Sequence, residues 1–120
     1  MPIPIELSLH RHSRVLEIAY EDGTRFKLPC EYLRVYSPSA DVQGHSPDER
    51  VLQVGKEQVG IDKIEPIGHY AVCLHFDDEH NTGIYSWEYL YRLGNEYEAR
   101  WNAYLDELKQ AGHVRKTLDA

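Results

Sequence analysis

The stretch His69–Leu93, HYAVCLHFDDEHNTGIYSWEYLYRL, packs a strand, an acidic turn, a returning strand and a capped helix into one unit. From Tyr70 to Phe76 the residues divide into two faces, Tyr70, Val72, Leu74 and Phe76 on one and Ala71, Cys73 and His75 on the other, as the two-residue period of a strand requires. Asp77-Asp78-Glu79-His80-Asn81 has the composition of a turn, and Thr82 to Tyr85 returns as a short strand, which closes a hairpin. Ser86 is suited to accept a hydrogen bond from the first amides of the helix that follows, with Glu88 near its positive end. Gly94 is expected to close that helix, Ser86 to Leu93, in a left-handed cap.

Upstream, Val59 to Pro66 reads as a strand that turns at Gly68 into Tyr70–Phe76. Downstream, Asn95 with Glu98 has the form of a capping box, and Tyr97, Trp101, Tyr104, Leu105 and Leu108 share one face of a helix over Glu96 to Ala111. Near the start, Ile5, Leu7, Leu9, then Leu16, Ile18, Tyr20, then Phe26 and Leu28 alternate as three strands. Asp22-Gly23 marks the hairpin between the second and third, because Gly readily takes the positive φ of a tight turn. Pro29 suits the first turn of a short helix over Pro29 to Val35. Ser37 to Arg50 then reads as a long loop, a kind of segment that is functional or mobile when it occurs in a small domain. The pattern predicts an α+β fold: a mostly antiparallel, twisted sheet of about five or six strands packed by two or three helices. A chain of 120 residues is expected to form a single domain, residues 1–120, with a sheet-bearing part over 5–94, a final helix over 95–112 and a frayed tail over 113–120.

A formal net charge of −7 and a pI near 5.4 argue against nucleic acid, whose phosphates call for a cationic footprint. The basic residues His10, Arg11, His12, Arg14, Arg25, Lys27 and Arg34 are interspersed with Glu6, Glu17, Glu21, Asp22 and Glu31. The opening Met-Pro-Ile-Pro-Ile-Glu lacks the basic start and apolar core of a secretory signal, and no apolar run approaches the ~20 residues of a membrane span. A cytoplasmic location without membrane contact is the expectation. Cys30 and Cys73 are too few and too far apart for a disulfide framework or a four-thiolate site and read as buried thiols.

Several side chains are candidates for chemistry. His75-Phe76-Asp77 with His113 has the loose form of a two-histidine, one-carboxylate iron triad, the reading of a small iron-dependent oxidoreductase. That chemistry needs a barrel that this chain is too short to build, and a strand histidine beside a turn aspartate is the plainer reading. Asp77, Asp78 and Glu79 offer oxygen ligands to a hard cation but lack the spacing of a calcium loop. His80 stands beside them, within reach of the loop from Ser37 to Gly44, with His45 further along it. Ser86 has no nucleophile elbow around it, and neither cysteine has a histidine at a recognisable spacing. Tyr85, Trp87, Tyr89 and Tyr91 read as packing. No complete catalytic set is present in the sequence, so the chain is expected not to be an enzyme.

Asp22-Gly23, Leu28-Pro29, Glu31-Tyr32-Leu33-Arg34, Ile64-Glu65-Pro66-Ile67-Gly68 and His80-Asn81-Thr82-Gly83-Ile84-Tyr85-Ser86-Trp87-Glu88-Tyr89-Leu90 occur here in an order that resembles the gamma-butyrobetaine hydroxylase-like amino-terminal domain family, over about Ile5 to Gly94. In that family the domain stands ahead of an iron and 2-oxoglutarate dioxygenase domain, behind a P-loop ATPase that scaffolds iron–sulfur clusters, or alone. The resemblance implies a small module whose zinc is held by three cysteines after the Leu-Arg motif and a histidine in the later hairpin. Carried onto this sequence, the histidine is His80 and the cysteine positions are Ser37, Ser39 and Val42. Hydroxyls are poor zinc ligands and valine is none, so no resident cofactor is expected, zinc or iron being the metals the resemblance leaves open. The implied function is a non-catalytic accessory module that docks onto a protein partner, an iron–sulfur assembly ATPase or a dioxygenase-type enzyme, with pairing as a homodimer. The alternative is a metal-binding or metal-delivering protein built on His80 with Asp77, Asp78 or Glu79.

Overall fold

A computed structural model describes residues 3–44 and 50–116. The candidate ligand His45 and residues 117–120 of the tail lie outside the described residues. In chain order the elements are β1 (Pro4–His10), β2 (Val15–Tyr20), β3 (Arg25–Pro29), α1 (Cys30–Val35), α2 (Ala40–Gln43), β4 (Ile61–Ile67), β5 (Ala71–Phe76), β6 (Ile84–Ser86), α3 (Trp87–Asn95) and α4 (Tyr97–Gln110).

The fold is α+β, and the six strands among the described residues form two three-stranded antiparallel sheets, β1-β2-β3 and β4-β5-β6, in place of one continuous sheet. Alternation in the sequence reports which face of a strand is buried; which edges pair is decided by how the halves pack. Gly23 at φ 89° and Gly68 at φ 56° take the left-handed conformations expected of the two hairpin turns. The β1–β2 turn has no glycine and places Arg14 at φ 56°.

The two sheets and the helices share one core. Leu16, Ile18, Tyr20 and Leu28 come from the first sheet, Val72, Leu74, Phe76 and Tyr85 from the second. Tyr32, Leu33 and Val35 of α1, Leu90 and Leu93 of α3, and Tyr104 and Leu108 of α4 complete it. With nine Tyr to two Phe, this interior carries many hydroxyls, and the buried ones donate to backbone carbonyls. Tyr32 Oη donates to Leu93 O at 2.7 Å, Tyr36 Oη to Arg100 O at 2.6 Å, Tyr89 Oη to Tyr36 O at 2.6 Å and Tyr104 Oη to Gln53 O at 2.7 Å. Each such bond contributes about 1 kcal/mol net and leaves the tyrosine hydroxyl that makes it paired.

Four local expectations are corrected. Gly94 does not cap α3 but lies within it, where a Cβ would stand 2.4 Å from the Phe26 ring, so the glycine permits the close approach of helix and strand. Asn95 is the last residue of α3, and Glu96, with no side-chain capping bond, precedes α4. Leu105 is 37% exposed and off the buried face, which Tyr104 and Leu108 hold. The segment after α4 is tied down through Lys116: Arg115 pairs with Glu31 and lies over the Trp101 ring, and Lys116 N donates to Glu57 at 3.1 Å. Within the loop after α1, Ser39 accepts from Asp41 N and starts the single turn α2.

Candidate functional site

Three groups of side chains carry the candidate residues: a buried hydroxyl–imidazole cluster, an arginine–tyrosine cleft and the outer face of the second sheet.

The cluster joins the chain after α1 to the β5–β6 turn. His80 is buried, and its Nε2 is 2.9 Å from Ser37 Oγ. Ser39 Oγ lies 2.7 Å from Thr82 Oγ1, which in turn donates to Asp41 Oδ2 at 3.3 Å. Val42 is buried alongside in the same segment. Gly83 has room for no side chain, since a Cβ there would sit 2.5 Å from Ser37 Oγ. Burial, and next to it the positive charge of Arg34, hold the His80 pKa below its ordinary value, so the ring is neutral at pH 7. The positions that the family resemblance assigned to zinc ligands thus offer one imidazole already engaged by a hydroxyl, a second hydroxyl engaged by Thr82, and a methyl pair. That donor set does not fit zinc, which takes thiolate, imidazole or carboxylate.

The turn carboxylates are placed differently from one another. Asp78 accepts from Arg34 Nε at 2.9 Å and from Lys56 Nζ at 2.8 Å. Burial works to raise its pKa, and the bonds from Lys56 and Arg34 outweigh it and leave the carboxyl below its ordinary range. Two cations therefore already neutralise Asp78. Asp77 and Glu79 are exposed at the turn, with Glu79 at φ 70°. The oxidoreductase triad is not assembled: His75 bonds Glu65 at 2.9 Å on the outer face of β5, Asp77 sits in the turn, and His113 lies exposed beyond the end of α4. Among the described residues, the one His/Cys/Asp/Glu group with metal-ligand spacing contains His75 with Glu65 and Cys73, and neither Asp77 nor His113. Cys30 is buried, and its surroundings push the thiol up to about 11, chiefly by desolvation, which leaves it unreactive at pH 7.

The cleft has a volume of about 520 Å³ and is lined by Tyr36, Pro38, Gln43, Arg50, Tyr89, Arg92 and Arg100. The guanidinium carbons of Arg50 and Arg100 lie 5.0 and 5.2 Å from the centre of the Tyr36 ring, and that of Arg92 lies 5.8 Å from the Tyr89 ring. Both tyrosine hydroxyls are spent on backbone carbonyls, which holds the rings in place and leaves their faces to the cations. Arg50 is paired with Glu107 and Arg100 with Glu96, while the exposed Arg92 has no ion pair among the described residues. Sequence reading treated Tyr89 as packing and passed over all three arginines. They come from the loop before β4, from α3 and from α4, so no local spacing announces them.

The sequence model of the family described as "Gamma-butyrobetaine hydroxylase-like, N-terminal" matches residues 7–91. No curated protein matches the chain. Two proteins with NMR solution structures are similar to it: one at 47% identity and a TM-score of 0.84, covering 99% of this chain and 89% of that one. The other has 45% identity and a TM-score of 0.83, covering 100% and 94%. A crystal structure of a protein of unknown function from Acidithiobacillus ferrooxidans, described as a member of the DUF971 family, is 44% identical with a TM-score of 0.64, over 76% of this chain and 91% of that one. With the family's sequence pattern present over most of its length and folded as two small sheets under aromatic-rich helices, this chain belongs to the gamma-butyrobetaine hydroxylase-like amino-terminal domain family.

Proposed function

We propose that the protein is a non-catalytic docking module of the cytoplasm whose arginine–tyrosine cleft receives an acidic segment of a protein partner. The observation that carries this reading is the lining of the cleft: three guanidinium groups, two tyrosine rings and, among the described residues that line it, no carboxylate, on a chain of net charge −7. Arginine and tyrosine are the residues most enriched where protein interfaces draw their binding energy, and a rigid aromatic floor loses little entropy when a partner settles on it. Arg92 supplies the charge that is not already matched by an ion pair among the described residues, so a partner carboxylate would pair there first. On the family resemblance alone, the proposed partner is a protein of iron, iron–sulfur or dioxygenase-type metabolism.

The test is affinity capture from the native host with the wild-type chain and Arg92→Glu side by side, each confirmed folded by its circular dichroism. The expected outcome is one partner, an iron–sulfur assembly ATPase or a dioxygenase-type enzyme, held by the wild type and weakened about tenfold or more by the charge reversal. Equal retention by both chains would remove the cleft from the reading, and turnover of a small substrate by the purified protein alone would remove the docking role.

A further inference from the structure

We infer that the outer face of the second sheet carries a divalent metal site for a borderline-soft ion such as Zn²⁺, formed by Cys73 Sγ, His75 Nε2 and a carboxylate oxygen of Glu65. One ligand atom from each of the three residues lies within 4.8 Å of the other two. They meet for reasons of strand geometry. Cys73 and His75 are two residues apart on β5 and so project from the same face, and Glu65 on β4 is the direct antiparallel partner of Cys73. This face lies opposite the one on which Val72, Leu74 and Phe76 enter the core.

The donor chemistry is that of a zinc site. Thiolate, imidazole and carboxylate are the three ligand types zinc takes, at about 2.3, 2.0–2.1 and 2.0–2.2 Å respectively. On binding, Cys73 would lose its proton to solvent, His75 would bind as the neutral ring and Glu65 as the carboxylate, so two negative ligands balance the charge of the ion and no other reactant is needed. His75 and Glu65 are already in contact at 2.9 Å and are partly exposed, so both can turn toward the sulfur without disturbing the core. The sulfur is held from the other side, where Cys73 Sγ donates to Asn81 O at 3.1 Å. Without a metal the thiol stays protonated, since burial and the Glu65 charge both raise its pKa. Three protein ligands on a partly open sheet face leave the fourth tetrahedral position to water or to a donor from another molecule. The site is separate from the Ser37–His80 cluster and does not depend on the docking cleft.

The experiment is a Co²⁺ titration of the full-length, reduced protein, followed by displacement with Zn²⁺. Co²⁺ reports a sulfur ligand as a near-ultraviolet charge-transfer band and a tetrahedral site as intense visible bands. Expected is one equivalent bound with both signatures, both bleached by Zn²⁺. Cys73→Ser should abolish the charge-transfer band and weaken binding at least tenfold; His75→Gln, at a partly exposed position with no core role, should weaken it similarly with the fold intact. His80→Gln should leave the titration unchanged. Absence of stoichiometric binding, survival of the band in Cys73→Ser, unchanged affinity in His75→Gln, or loss of binding in His80→Gln would each overturn the assignment.

Discussion

His80 shows how a hydroxyl partner limits what a buried imidazole can do. Its ring meets Ser37 Oγ where the resemblance would have put a thiolate, and the pocket holds it neutral because burial, then Arg34, oppose the imidazolium. The charges facing it from neighbouring segments are, in order of weight, Arg34, which opposes protonation, Asp78 and Asp41, which favour it, and Lys56, which opposes it. Since the folded pKa is depressed below the unfolded value of about 6.5, the unfolded chain takes up the proton first as pH falls. The stability linked to His80 is therefore fully present above about pH 6.5 and is lost as pH falls toward the folded pKa. His80→Gln, which keeps a side chain able to bond Ser37, should show a shallower fall in Tm between about pH 7 and pH 5 than the wild type. Parallel Tm curves for the two would mean that His80 titrates in the folded protein as it does in water. Gly83→Ala tests the same cluster from its other side: a Cβ 2.5 Å from Ser37 Oγ and 3.1 Å from Tyr85 Cε1 should separate Ser37 from His80 and cost about 1–3 kcal/mol, measured by urea unfolding.

In α3, two local features can be separated by mutation. Ser86 Oγ accepts from Tyr89 N at 3.0 Å, the first-turn bond of an N-cap, and Ser86→Ala should lose about 1 kcal/mol. Gly94 sits where α3 passes over Phe26, itself edge-on to Tyr20 and Tyr91. Alanine in a helix interior is worth about 1 kcal/mol over glycine, yet Gly94→Ala would drive a methyl to 2.4 Å from the ring, an overpacking of about 1–3 kcal/mol, so the variant should be the less stable one. Adding Phe26→Leu should recover part of the loss, and the double-mutant cycle measures the coupling; additive losses would mean that the helix and ring do not touch. These cases also mark what a sequence can say. Ser86, Gly23 and Gly68 act through their own backbone neighbours and were legible. Gly94 looks like a stop signal because it follows an apolar-periodic run, but what demands it is a ring 68 positions away. The capping box at Asn95 failed for a related reason: α3 continues through that residue. Ser37, Ser39, Val42 and His80 were named from the order of motifs; the arginines of the cleft come from three separate segments and carry no shared pattern. The trio Glu65, Cys73 and His75 was half legible, since alternation put Cys73 and His75 on one face, while Glu65 required the β4–β5 register.

Across the described residues, two sheets and four helices are held by a core whose periphery is closed with ion pairs, and the last described residues do part of that closing. Arg115 reaches back to α1, donating to Glu31 through both Nε, at 2.8 Å, and Nη2, while its guanidinium lies 5.3 Å from the Trp101 ring on α4. Glu31 is 5% exposed, so its carboxylate depends on this partner for compensation. The contact therefore fastens the segment around Arg115 to α1 and α4 at once, which composition concealed: a short polar stretch after Gly112 reads as frayed unless the buried carboxylate 84 positions earlier is known. Arg115→Met keeps the aliphatic stem against Trp101 but leaves Glu31 buried without its cation. Removing one member of a buried pair costs about 3–5 kcal/mol, and because Arg115 is itself part-exposed the loss here should be nearer 2 kcal/mol. Glu31→Gln in the Arg115→Met background should return part of that stability, because a neutral amide is cheaper to bury than an uncompensated charge. Urea unfolding of the wild type, Arg115→Met and the double variant, at low and at 1 M salt, decides the matter. A loss below about 0.5 kcal/mol in Arg115→Met, or no recovery in the double variant, would show that the segment around Arg115 is not part of the folded unit.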